Sequence, residues 1–128
     1  RNHMARAALE SIAFQAYDVV NAMYADFGKT TGSIRVDGGA SANNFLCQFL
    51  ADITGIRVVR PKVIEATALG LTIGFWNDVE ELKRNWSLDR EFLPDMADGE
   101  RRRRIGEWSK AVECAKAWSR ICGSKLER

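Results

Sequence analysis

The sequence predicts an α/β domain with an incomplete parallel sheet and packed helices. Two short β-branched segments, near residues 33–37 and 56–59, are each preceded and followed by longer helical patterns. Strands separated by helices of this length favour βαβ units and a parallel pairing. A complete sheet usually has about five or six strands, so two strands among this many helices indicate part of a larger structure.

The first half of the chain contains two predicted helices. The second, over residues 41–54, has Ser41 as its predicted N-cap and Gly55 as its end. The first covers about residues 3–27, with Gly28 as its C-cap. Its apolar stripe recurs at steps of three and four residues: Leu9, Ile12, Ala16, Val19 and Met23.

The second half is predicted to be mostly helical. An apolar helix runs from Glu65 to about Trp76, and a short polar helix covers residues 78–84. Residues 86–94 are irregular or extended, and the only candidate linker is at 86–98. A final helix begins at Asp98 or Gly99 and forms a possible helical tail over residues 98–122. Its predicted stripe is Ile105, Trp108, Val112, Ala115 and Trp118.

Length and composition limit the possible classes of protein. The 128 residues form one domain, residues 1–128, and 46% hydrophobic residues are enough for a core. A net charge of +2 does not by itself indicate a nucleic-acid or membrane partner, and no apolar run is long enough to span a bilayer. The three cysteines are expected to be reduced, buried or half-buried thiols in a cytoplasmic protein: Cys47, Cys114 and Cys122.

The most informative segment is the turn between the first strand and the second helix. Asp37 ends the strand, and Gly38 and Gly39 let the backbone turn sharply and approach a ligand closely. A helix N-terminus at this point exposes unpaired backbone N–H groups, which favour a phosphate or another anion. Asn43 adds an amide side chain that can donate or accept. The segment therefore predicts a nucleotide-contacting turn.

Less specific interpretations of the same residues remain open. Asp37-Gly38 is also a common hairpin signal, so the turn could bind nothing. Asn43 could be only a polar residue of the first helical turn. The run Arg101–Arg104 could bind RNA, although nearby acidic residues and the lack of an aromatic platform favour a solvated helix face.

Taken together, the motifs resemble the C-terminal nucleotide-binding domain of the FGGY carbohydrate kinases, most closely the glycerol-phosphorylating branch. The central match is residues 35–45 (RVDGGASANNF). Further matches cover nearly the whole chain: residues 6–15 (RAALESIAFQ), 58–61 (VVRP), 65–70 (EATALG), 74–76 (GFW), 90–94 (REFLP) and the helix with Trp108 and Trp118.

The resemblance implies the C-terminal half-domain of the actin-like, ribonuclease H-like ATPase fold, with ATP bound in a cleft between two domains. It also implies Mg²⁺ as a cofactor and glycerol as the phosphoryl acceptor in a complete enzyme. By resemblance Gly38 and Gly39 form the nucleotide-binding turn, and Asn43 matches an asparagine that contacts ADP.

The sequence departs from the family pattern in two ways. The family's phosphate loop, polyol site and catalytic aspartate would all lie upstream of residue 1, so no catalytic residue and no metal ligand is assigned. The isolated chain is expected to be inactive, with a missing N-terminal domain or a homo-oligomer as partner. Between Gly70 and Gly74 about one and a half helical turns look deleted. The alternative is a non-catalytic, truncated kinase fragment that acts as an interaction module.

Overall fold

The computed structural model describes residues 2–28, 31–62 and 88–123, with side chains as far as residue 120. The chain divides into two compact units, Arg1–Asp95 and Met96–Arg128. The predicted helices at 65–76 and 78–84, and the apparent deletion, lie outside the described residues. The described elements are α1 (Asn2–Phe27), β1 (Ser33–Arg35), α2 (Asn44–Thr54), β2 (Arg57–Pro61), β3 (Leu88–Phe92) and α3 (Asp98–Gly123).

The first unit contains a three-stranded mixed sheet in the order β1-β2-β3. β1 and β2 are parallel, with Ile34 opposite Val58, which confirms the predicted parallel pair. β3 runs antiparallel to β2 and places Phe92 beside Val58. β3 therefore lies within the range predicted to be irregular or extended, 86–94, and within the candidate linker at 86–98. Apolar alternation does not reveal it because, of its five residues, only Phe92 is buried.

The core of the first unit lies between α2 and the sheet and is closed by part of α1. Phe14 of α1 meets Phe49 of α2 edge-to-face, with ring centroids 5.5 Å apart. α1 buries Ala13 and Phe14, and the residues buried with them in the apolar core are Leu46, Cys47, Phe49, Leu50, Ala51, Ile53, Val58, Val59 and Phe92.

The apolar stripe predicted for α1 is not its buried face. Ile12, Val19 and Met23 are 47%, 60% and 50% exposed. Periodicity identifies the apolar side of a helix but not the side that its partner reaches, and α2 contacts α1 at the adjacent positions, Ala13 and Phe14. At the end of α1, Gly28 has φ 63° and donates its amide to the Tyr24 carbonyl, which confirms the predicted C-cap.

The second unit contains α3, which begins at Asp98 as predicted. Trp118 is 70% exposed within its unit, and Cys114 is exposed rather than buried or half-buried as predicted. None of the described side chains of this helix is buried. Among the described helices, none is long and apolar enough to cross a membrane.

Candidate nucleotide-binding turn

The backbone between β1 and α2 makes a sharp, specific turn. Gly38 has φ 79° and ψ 165°, a conformation that is essentially restricted to glycine. Residues Gly39–Ala42 then form one 3₁₀ turn, and α2 starts immediately after Asn43. The two glycines therefore differ, because the φ of Gly39 lies outside the positive range.

The 3₁₀ turn directs its carbonyl groups into its own hydrogen bonds. The Gly38 carbonyl accepts from the Ser41 amide at 3.0 Å and from the Ser41 hydroxyl at 2.7 Å. The Ala40 carbonyl accepts from the Asn43 amide at 3.1 Å. These acceptors are therefore occupied by the protein itself.

A buried arginine donates to two further carbonyl groups of the turn. Arg60 is only 8% exposed, and its Nη1 donates to the carbonyls of Ser41 and Ala42 at 2.9 and 3.2 Å. The same nitrogen donates to the Asn44 side-chain oxygen at 2.9 Å. The Asp89 carboxylate accepts from Nε at 2.8 Å and lies 2.7 Å from Nη2.

Sequence analysis did not identify Arg60 as a functional residue, although one signal was present. The sequence places Arg60 between the apolar residues Val59 and Pro61, a pattern that favours burial of its side chain. A buried charge requires a partner and several hydrogen bonds. What the sequence could not indicate is that these hydrogen bonds lead to the turn.

The amide side of the turn is open. Within the described parts of the chain, the backbone amides of Gly38, Gly39 and Ala40 have no hydrogen-bond acceptor. Gly39 and Ala40 are exposed, and a Cβ placed on Gly39 would meet nothing within 4 Å. With the carbonyls of Gly38, Ala40, Ser41 and Ala42 occupied and these amides free, the turn presents hydrogen-bond donors, which suits an anionic ligand.

Asn43, not Ser41, is the N-cap of α2, so the predicted cap is wrong by two residues. The Asn43 Oδ1 accepts from the amides of Phe45 and Leu46 at 3.0 and 3.2 Å. Ser41 is 4% exposed, and its hydroxyl donates to the Gly38 carbonyl instead. The side-chain nitrogen of Asn43 has no partner among the described residues, and the residue is exposed. Asn43 thus combines a capping oxygen with a free donor.

Cys47 lies behind the turn as a buried thiol, as predicted. Its Sγ donates to the Ser41 carbonyl at 3.1 Å. Burial raises the pKa of the Cys47 thiol above its ordinary value, more than the neighbouring Arg60 charge lowers it. The thiol is therefore protonated at neutral pH, which fits a structural donor and not a nucleophile.

Three of the four arginines of the run on α3, Arg101, Arg103 and Arg104, form ion pairs along the helix. The pairs are Arg101 with Asp98, Arg103 with Glu100 and Glu107, and Arg104 with Glu100. Guanidinium groups that are paired at helical spacing are less available to a phosphate backbone. This arrangement favours the solvated helix face over the RNA-binding interpretation.

The first unit combines a parallel β1–β2 pair with a donor-rich turn that joins β1 to α2. The sequence pattern of the FGGY family of carbohydrate kinases, C-terminal domain, matches residues 1–73. The chain belongs to this family, which confirms the resemblance and makes it a member of a phosphotransferase family. The turn with Gly38, Gly39 and Asn43 lies within the matched range.

Individual relatives narrow the comparison. The chain is 52% identical over 123 residues to a glycerol kinase of Paraburkholderia phytofirmans, covering 91% of this chain and 25% of that protein. It is 52% identical over 125 residues to a glycerol kinase of Caldanaerobacter subterraneus subsp. tengcongensis, covering 93% and 25%. The chain thus spans about a quarter of the length of these curated relatives.

Solved structures confirm the predicted fold class. The crystal structure of Plasmodium falciparum glycerol kinase with ADP superposes with a TM-score of 0.70 and 32% identity, covering 87% of this chain and 24% of that one. A xylulose kinase from Rhodospirillum rubrum superposes with a TM-score of 0.68 at 20% identity, covering 91% and 25%, which supports the fold alone. These neighbours are actin-like ATPase sugar kinases.

The ion pairs of α3 predict that the pKa of the Glu100 carboxyl is lower than that of an ordinary glutamate. Hydrogen bonds from Arg103 and then Arg104 lower the pKa of Glu100 from 4.5 to about 2. Because the pKa is lowered on folding, the stabilisation is fully present above pH 4.5 and is lost as the pH falls towards 2. A carbon-13 NMR titration of the side-chain carboxyl measures this pKa directly.

Two variants serve as controls for that titration. Arg103→Gln should raise the pKa of Glu100 more than Arg104→Gln, because Arg103 makes the larger contribution. Added salt should also raise it, since Glu100 is solvent-accessible and the pairs are screened. An unshifted pKa of 4.5 in the unmodified chain would contradict the observed pairing.

Proposed function

We propose that this chain is the C-terminal, ATP-binding part of a glycerol kinase, an enzyme that phosphorylates glycerol to glycerol 3-phosphate with ATP. The observation that carries the proposal is the donor-rich turn at residues 38–43, within a domain that belongs to a kinase family. Further support comes from 52% identity to curated glycerol kinases and from similarity to a glycerol kinase solved with ADP.

In the proposed complex the nucleotide lies against the turn. The free amides of Gly38, Gly39 and Ala40 would donate to its phosphate groups, and the N-terminal dipole of α2 would add a favourable potential. The open space at Gly39 allows the backbone and the ligand to approach closely. Asn43 would donate through its side-chain nitrogen while its oxygen continues to cap the helix.

The remaining parts of the reaction would come from outside this chain. Phosphoryl transfer requires charge neutralisation and a base that accepts the hydroxyl proton. The described residues contain no group of three or more His, Cys, Asp or Glu side chains suited to a metal ion. Mg²⁺ would enter as the cofactor of the complete enzyme, bound together with the phosphates of ATP. A cytoplasmic location is proposed with this function.

The first test of nucleotide binding is Gly39→Ala. The new methyl group meets no protein atom and Gly39 does not need a positive φ, so the fold should be retained or stabilised by about 0.4–1 kcal/mol. A methyl group at this position should instead block the approach of phosphate. ATP titration followed by amide NMR should therefore show strongly reduced shifts from Gly38 to Asn43.

Gly38→Ala provides the matched comparison one residue away. The φ of 79° at Gly38 is unfavourable for alanine, so this variant should lose about 1–3 kcal/mol of stability, measured by urea unfolding. Unchanged ATP binding by a well-folded Gly39→Ala chain would argue against nucleotide contact at the turn.

The second test separates the two roles of Asn43. Asn43→Ser should keep the cap, because serine ranks with asparagine at this position, but it removes the side-chain nitrogen donor. We expect an unfolding midpoint close to that of the unmodified chain and weaker ATP binding, by about three- to tenfold. Asn43→Ala should weaken binding similarly and also cost about 1 kcal/mol of stability. Equal ATP affinity in all three proteins would leave Asn43 with the capping role alone.

The third test addresses catalysis by the chain itself. A coupled ADP-release assay with glycerol and Mg-ATP should detect no glycerol-dependent turnover, because the catalytic base and the glycerol site are expected in the absent N-terminal half. A boiled sample of the chain sets the background. Robust turnover by the 128 residues would refute the proposal that the catalytic base and the glycerol site lie outside this chain.

A non-catalytic interaction module is the second candidate function. A groove of about 520 Å³ lies between the end of α1 and β1, and apolar side chains dominate its lining. Such a groove could accept an apolar segment of a partner, such as a full-length kinase subunit. This alternative does not need the turn to bind ATP, so the ATP titration distinguishes it from the first. The lining residues are Val20, Met23, Tyr24, Phe27, Thr31, Ser33 and Ile34.

A further inference from the structure

We propose that Arg60 is a positioning residue for nucleotide binding, held by Asp89 and acting on the shape of the 3₁₀ turn. The inference rests on the proposed function and extends it to a residue that is not expected to touch the nucleotide. Its basis is a set of contacts that links the turn to two strands that lie further along the chain. Arg60 lies on β2 and Asp89 on β3, and their ion pair joins both strands to the turn.

The chemistry of the contacts explains what Arg60 does. Carbonyl oxygens that faced a phosphate would repel it, so an anion site requires them to point elsewhere. Arg60 draws the carbonyls of Ser41 and Ala42 and the side-chain oxygen of Asn44 towards the protein interior. Those oxygens lie in the same short segment as the free amides of Gly39 and Ala40, so their direction fixes which face of the turn presents donors.

The planar guanidinium is well suited to this task. Its Nη1 contacts two carbonyl oxygens of the turn and the Asn44 side-chain oxygen of α2, while Nε and Nη2 lie 2.8 and 2.7 Å from the Asp89 carboxylate. The Phe92 ring lies 5.4 Å from the guanidinium carbon and completes the enclosure. A lysine at this position would keep the charge but could not reproduce the fork of donors.

A second cross-strand pair supplies a matched control. Arg57 and Glu91 join the same two strands, at 3.4 Å, and both side chains are about half exposed. Neither has a recorded hydrogen bond to the turn. Asp89→Asn and Glu91→Gln therefore remove equivalent carboxylate charges from β3, but only Asp89→Asn weakens the contact that holds Arg60 in place.

The experiment measures hydrogen exchange and ATP affinity in the unmodified chain and in Asp89→Asn, Arg60→Lys and Glu91→Gln. Without nucleotide, the amides of Ser41 and Asn43 report on the turn, and the Ile53 amide reports on the core. The ATP dissociation constant comes from the amide shifts of the turn. Asp89 is 41% exposed, so Asp89→Asn tests the proposal even if Arg60→Lys fails to fold.

For Asp89→Asn we expect about tenfold faster exchange at Ser41 and Asn43, unchanged exchange at Ile53, and about three- to tenfold weaker ATP binding. Arg60→Lys should also speed exchange at Ser41 and Asn43 and weaken ATP binding. For Glu91→Gln, the exchange rates and the ATP dissociation constant should stay within about twofold of those of the unmodified chain. Faster exchange without weaker ATP binding would overturn the positioning role. Equal loss of protection at Ile53 would overturn it too, because that result indicates general destabilisation.

The outcome also distinguishes this inference from the proposed function. If ATP leaves the turn unshifted in the unmodified chain, nucleotide binding fails and the positioning role is overturned with it. If ATP binds the unmodified chain but Asp89→Asn behaves like Glu91→Gln, the proposed function stands and the inference about Arg60 fails.

Discussion

The first unit depends on the burial of one positive charge. Removing a guanidinium from water is costly unless it is paired and hydrogen-bonded. Arg60 is paired with Asp89 and donates to oxygens of three separate segments: the 3₁₀ turn, α2 and β3. Across the described residues, no buried side-chain nitrogen or oxygen lacks a partner. The hydrogen bonds and the ion pair of Arg60 therefore connect the sheet to the turn.

Residue preferences for particular backbone conformations predicted those features that depend on a single residue. The φ of 79° at Gly38 and the termination of helices at Gly28 and Gly55 follow from the absence of a Cβ. The position of the helix start does not follow from such rules, because Ser41 and Asn43 are both good caps. Arg60, nineteen positions beyond Ser41, holds the inserted 3₁₀ turn and so leaves Asn43 as the cap.

Two features of the first unit depend on distant contacts and were beyond sequence analysis. β3, the last strand of the sheet that the described residues form, is rich in charged residues, and its pairing with β2 distinguishes it from an extended loop. In α1, periodicity located an apolar stripe but could not show that α2 would cover Ala13 and Phe14 instead. The chain spans about a quarter of its relatives' length.

The proposed site explains why nucleotide binding and catalysis can be separated along the chain. A site made of backbone amides requires a particular backbone shape but no charged side chain in contact with the ligand. Here Gly38 provides the shape, Gly39 leaves room for close approach, and Arg60 keeps the carbonyls away. Phosphoryl transfer instead needs a base and a positioned acceptor hydroxyl. A segment folded around this turn can therefore contain the determinants for holding a nucleotide while depending on other residues for the reaction.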